Sequence, residues 1–165
     1  MKRIIAFVLL ISIVLSGCAV SQASTQSSAT FYYLQREYVY GNEGSVIAPE
    51  EKGISGSRKD IQYLMALYAM GPILEEHIMP YPSETRITCS ESEKGDVILS
   101  LSDAASGLSD SEFTLASTCL AMTCFEAADC AQVTVQLGER SITMTPGSIV
   151  LRDNRADYLP PEETQ

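Results

Sequence analysis

Five cysteines and a single histidine are the side chains of this chain best suited to bind a metal, attack a substrate or cross-link. Four of the thiols, Cys89, Cys119, Cys124 and Cys130, lie in the body of the sequence. Their separations lack the close pairs of zinc knuckles, and residues five apart on a helix point about 140° apart, so no metal or cofactor follows from them. Buried free thiols and disulfides both remain open; Cys89 with Cys119 and Cys124 with Cys130 are the pairings the order of elements suggests. His77 follows Glu75-Glu76 with no second histidine to join it, and reads as a surface or loop-packed side chain rather than a base. Residues 53–57 approach a nucleophile elbow, but Ser57 stands where glycine is required. Glu50-Glu51 and Glu75-Glu76 read as solvated pairs, and no Asp-x-Asp-x-Asp run offers a calcium loop. Tyr32, Tyr33, Tyr38 and Tyr40 form an aromatic group suited to strand packing or to a partner-binding or glycan-binding face.

The formal charge of −10 speaks against nucleic acid, which needs clustered Lys and Arg to neutralise phosphate. A hydrophobic share of 45% is enough for one core and excludes wholesale disorder. Part of that share belongs to an address. Met1-Lys2-Arg3 is cationic, residues 4–15 are apolar apart from Ser12, and Leu15-Ser16-Gly17-Cys18 follows. Twelve apolar residues rise only about 18 Å as a helix, short of a bilayer core of about 30 Å. Leu-Ser-Gly-Cys resembles the lipobox of bacterial lipoproteins, which implies a signal peptide over 1–17 and a diacylated Cys18 as the first mature residue. Cleavage there removes 17 residues, Lys2 and Arg3 among them, and leaves 148 with a net charge of −12. The expected location is the outer face of the cytoplasmic membrane, with the lipid as tether.

These groups must be held by the elements that follow. Residues 18–29 are rich in Ser and Gln and read as a tether; 30–154 form one domain; 155–165 form an acidic, Pro-rich tail. Strands are expected at 30–35 and 45–48, with a loop at 52–56. A helix capped by Ser57 places Ile61, Leu64, Met65 and Tyr68 on one buried face and ends at Gly71-Pro72. Strands at 86–89 and 96–102 make a hairpin. Ser109 and Glu112 form a capping box for a long helix with Phe113, Ala116, Leu120 and Cys124 on one stripe. A strand at 131–137, a turn at 138–140 and a short return at 142–144 complete the domain. The expected class is α+β, a small mixed sheet with two helices packed on one face.

The series Tyr32 to Gln35, Leu64 to Pro72, Met79-Pro80, Glu84 to Ile87, Val97 to Asp103 and Val133 to Glu139 is similar to the GerMN domain of bacterial envelope lipoproteins. Its marks are an Ala-Leu-x-x-x-Gly-Pro helix end, a Pro-x-x-x-x-Thr approach to the hairpin and a strand closing on Leu-Ser. Ser100 stands where the family usually has Asp, and Cys119 and Cys124 lie among the apolar positions of the long helix. The resemblance implies a compact fold like the ring-building domains of secretion systems. It also implies a non-catalytic role in sporulation, germination or envelope assembly, through an envelope protein, peptidoglycan or another copy of the chain. A small envelope hydrolase needs an open cleft around His77 with a perturbed carboxylate, and a solute binder would have to work within one domain.

Overall fold

A computed structural model describes residues 27–37, 45–55, 60–92, 96–128 and 130–149. The expected signal peptide, Cys18, most of the expected tether and the expected tail lie outside the described residues. Strand β1 (Ser27–Gln35) pairs antiparallel with β2 (Ile47–Ile54) and, at its far end, with β3 (His77–Ile78). Its first three residues, assigned above to the tether, belong to the sheet, and Ala29 is buried. Alternation then places Ala29, Phe31 and Tyr33 on the inner face. β2 is twice as long as the sequence suggested: Lys52, Gly53 and Ile54 continue the strand, opposite Ala29, Ser28 and Ser27.

Helix α1 (Ile61–Ala69) buries Ile61, Leu64, Met65 and Tyr68 as expected. Its N-cap is Asp60, whose carboxylate accepts from the Tyr63 N–H at 3.0 Å. Asp and Ser cap about equally well, so spacing alone could not choose between Asp60 and the expected Ser57. Gly71 ends the helix at φ +84°, and its N–H donates to the Tyr68 carbonyl at 3.0 Å. β4 (Ile87–Glu91) and β5 (Val97–Leu101) form the expected hairpin. Helix α2 (Asp110–Ala128) then crosses to β6 (Val133–Leu137), which runs parallel to β5, and β7 (Arg140–Met144) returns through a turn with Gly138 at φ +59°. The capping box is formed: Ser109 N–H donates to Glu112 at 2.8 Å, and Glu112 N–H donates to Ser109 Oγ at 3.3 Å.

The α+β class holds, but the strands divide into two sheets, β2-β1-β3 and β4-β5-β6-β7. The long helix packs on β1 as well as on β6 and β7, while α1 lies against β4. The division has a local cause. β3 covers β1 only at Leu34 and Gln35. Farther back, the Tyr32 N–H donates to Thr123 Oγ1 at 3.0 Å and the Tyr32 carbonyl accepts from Tyr68 Oη at 2.7 Å. Helix hydroxyls thus stand where another strand would pair. Thr123→Val keeps the shape but orphans a partly buried N–H. Urea denaturation should show a loss of about 1–3 kcal/mol, against little change for Thr118→Val.

Candidate functional site

The β2 alternation that buries Ala48 and Ile54 also turns Glu50 and Lys52 inward. Glu50 is 4% exposed, Lys52 7% and His77 5%. Glu50, expected in a solvated pair, and His77, expected at the surface or packed in a loop, are therefore both interior groups, and His77 lies on a strand. Their burial follows from pairing: β2 adds the inner-face position of Glu50, and β3 sets His77 opposite Gln35. Glu51, Glu75 and Glu76 are exposed, as expected.

The Glu50 carboxylate accepts from the backbone N–H groups of Ile73 at 2.9 Å and Leu74 at 3.0 Å. It also lies 3.1 Å from His77 Nδ1 and 3.6 Å from Lys52 Nζ. Lys52 donates to Tyr33 Oη at 2.7 Å and to the Gly71 carbonyl, with its ammonium 4.8 Å above the Tyr33 ring centroid. Burial alone would raise the Glu50 pKa. The N–H donors of Ile73 and Leu74, His77 and the Lys52 charge outweigh it and hold the carboxyl below its ordinary value of 4.5. Burial lowers the Lys52 pKa, with Glu50 opposing. Because the Glu50 value is depressed in the fold, its stabilisation is present above pH 4.5 and disappears as pH falls through the lowered value. Urea midpoints measured across acid pH should fall in that range, and Glu50→Gln should flatten that part of the profile.

What these charges hold is the segment after α1. Gly71, Ile73 and Leu74 are pinned from below by Lys52 and Glu50. His77 N–H donates to Leu74 at 3.1 Å, and Arg36 donates to the Glu76 and Glu75 carbonyls at 2.7 and 2.9 Å. The outward side chains of this fixed loop are apolar: Met70 is 80% exposed, Ile73 71% and Leu74 43%. The charged cluster is thus closed to substrate, while the loop above it presents an apolar knob beside Glu75 and Glu76. The knob was missed because Met70 and Ile73-Leu74 flank a helix end and carry no motif. The sequence signal that could have located the cluster is the same-parity run Ala48, Glu50, Lys52, Ile54.

No disulfide joins Cys89, Cys119, Cys124 and Cys130 to one another. Cys119 and Cys124 are fully buried on α2, and Cys89 and Cys130 are half-buried. Burial raises the thiols of Cys119 and Cys124 and pushes Cys89 up to about 11, so none of these three is an activated nucleophile at neutral pH. Cys124 feels Cys130 and Cys89, whereas Cys119 lies among Tyr33, Tyr68 and Tyr81. No group of three or more His, Cys, Asp or Glu is placed to hold a metal among the described residues. Tyr32 and Tyr33 serve strand packing, Tyr33 stacked on Tyr68 at 4.8 Å; Tyr38 and Tyr40 lie outside the described residues.

No family model and no curated protein matches the chain. Solved structures do. The first GerMN domain of the sporulation protein GerM from Bacillus subtilis aligns with TM-score 0.52 at 10% identity, over 78% of this chain and 95% of that one. The tandem GerMN domains of the same protein align with TM-score 0.50 at 9% identity, over 78% of this chain. This chain spans 45% of the tandem's length, so it matches a single repeat of it. At such identities the likeness concerns the fold alone. The described residues form a GerMN-like domain.

Proposed function

We propose that this chain is a lipoprotein held by a diacylated Cys18 on the outer face of the cytoplasmic membrane. Its GerMN-like domain works without catalysis, by contact with an envelope protein, peptidoglycan or a further copy, in sporulation, germination or envelope assembly. The observation that carries this reading is the fixed loop with Met70, Ile73 and Leu74 outward. Two buried charged side chains, Glu50 and Lys52, bond the backbone beneath it, with the His77 ring against Glu50, and a preorganised apolar surface binds at a lower entropic cost. The likeness to domains of a sporulation protein supports the choice of process. The lipid is required for retention in this reading, and no helix among the described residues is long and apolar enough to cross a membrane. Cys18→Ala should move the protein from the membrane to the soluble fraction and remove labelled palmitate. Wild type and variant both fractionating as soluble protein would end the anchor reading. A photo-cross-linker at position 73 should capture an envelope component, with yield cut roughly tenfold by Leu74→Ser. Equal yields would end the loop's role.

A further inference from the structure

The second sheet leaves β4 as an edge, since the strand order is β4-β5-β6-β7. Ser102 N–H donates to the Arg86 carbonyl at 3.0 Å and Ser92 N–H to the Asp96 carbonyl at 2.8 Å, so even-numbered residues turn their backbone groups toward β5. Alternation turns the N–H and C=O groups of Ile87, Cys89 and Glu91 the other way. Helix α1 packs against β4. Between them lie a groove of about 470 Å³, lined by Met65, Ala66, Ala69 and Ile87 among others, and one of about 280 Å³ reaching Asp60 and Glu91. Gln62 and Cys89 line both, so the two join as one trough along the open edge.

The trough is polar in a directed way. Exposed Arg86 lines one end; exposed Asp60 and Glu91 line the other. Small Ala66 and Ala69 leave room for a backbone to approach. Thr85, 5% exposed at the Arg86 end, keeps a buried hydroxyl without a hydrogen-bond partner. A second copy would bring its own α1 against the same space, whereas one extended segment fits between helix and strand.

We infer that this trough receives an extended segment of a partner protein, added antiparallel to β4 as a fifth strand. The segment carries a basic residue at the Asp60–Glu91 end, an acidic residue at the Arg86 end and β-branched residues between. Main-chain bonds to Ile87, Cys89 and Glu91 supply affinity, and the charged ends set direction. This surface is separate from the apolar loop, so either can fail alone.

The test uses the full chain in detergent and the blocked peptide Lys-Thr-Val-Thr-Val-Thr-Glu at millimolar concentration. Amide exchange followed by NMR should slow at least about tenfold at Ile87, Cys89 and Glu91, with Thr88 and Ser90 unchanged. The reversed peptide, Glu first and Lys last, should protect these amides less, and Arg86→Glu should erase the difference. Three outcomes overturn the proposal: no slowing with either peptide, equal slowing with both, or slowing that follows protein concentration alone and so reports a second copy. A cross-link at position 73 that persists after a null result here shows that the loop reading stands without this one.

Discussion

Glu50→Ala is expected to destabilise the domain by about 3–5 kcal/mol, because it leaves the Lys52 ammonium buried without its counter-charge. The same change removes the acceptor of the Ile73 and Leu74 N–H groups. A domain of this size has roughly 5–15 kcal/mol in all, so the variant sits near the edge of folding at 25 °C. Glu51→Ala, one residue away and exposed, should lie within about 0.5 kcal/mol of wild type. Urea denaturation of the two proteins side by side decides the matter. Comparable effects would show that the buried carboxylate does not hold the loop. Glu50→Gln should fall between, since its amide oxygen keeps one acceptor but not the charge.

Tyr68→Ala should cost a similar amount, about 3–5 kcal/mol, by opening a cavity where three elements meet. The ring is fully buried, stacks on Tyr33 at 4.8 Å and lies 6.3 and 6.1 Å from Phe31 and Tyr81. Its hydroxyl donates to Tyr32 on β1, and its carbonyl accepts from Gly71 N–H and, at 3.4 Å, from Tyr33 Oη. Tyr68→Phe isolates the hydroxyl and should cost about 1–3 kcal/mol, the penalty of an unpaired, partly buried carbonyl. Thermal or urea unfolding of both variants separates packing from hydrogen bonding. A Phe variant as stable as wild type would mean that Tyr32 finds another donor.

The elements legible in the sequence were those set by local pattern. The α1 stripe, the Gly71 stop, the Ser109–Glu112 box and the β6–β7 return depend on residues a few positions apart, and each is found near its expected place. β2 was half lost because Glu51-Lys52-Gly53 reads as a polar turn when taken alone. Only its register against residues 28–30 shows that alternate charges face inward. The pair of sheets was hidden for the same reason: Tyr32 meets Thr123, 91 residues away, through a hydroxyl. In the sequence Glu50 reads as half of a solvated pair and His77 as a surface or loop-packed side chain. Their contact across 27 residues of sequence is a property of the fold.

The hydroxyl of Thr123 and the parallel pairing of β6 with β5 both depend on α2. The first sheet borrows a donor site from that helix, and the second is threaded through it. Neither can reach its final form on the chain emerging up to Leu108, so the protein cannot mature piecemeal, one sheet after the other. Until the long helix docks, β1 and β5 each keep a side ready to pair with another chain. Folding as a single cooperative unit protects the protein from such mispairing.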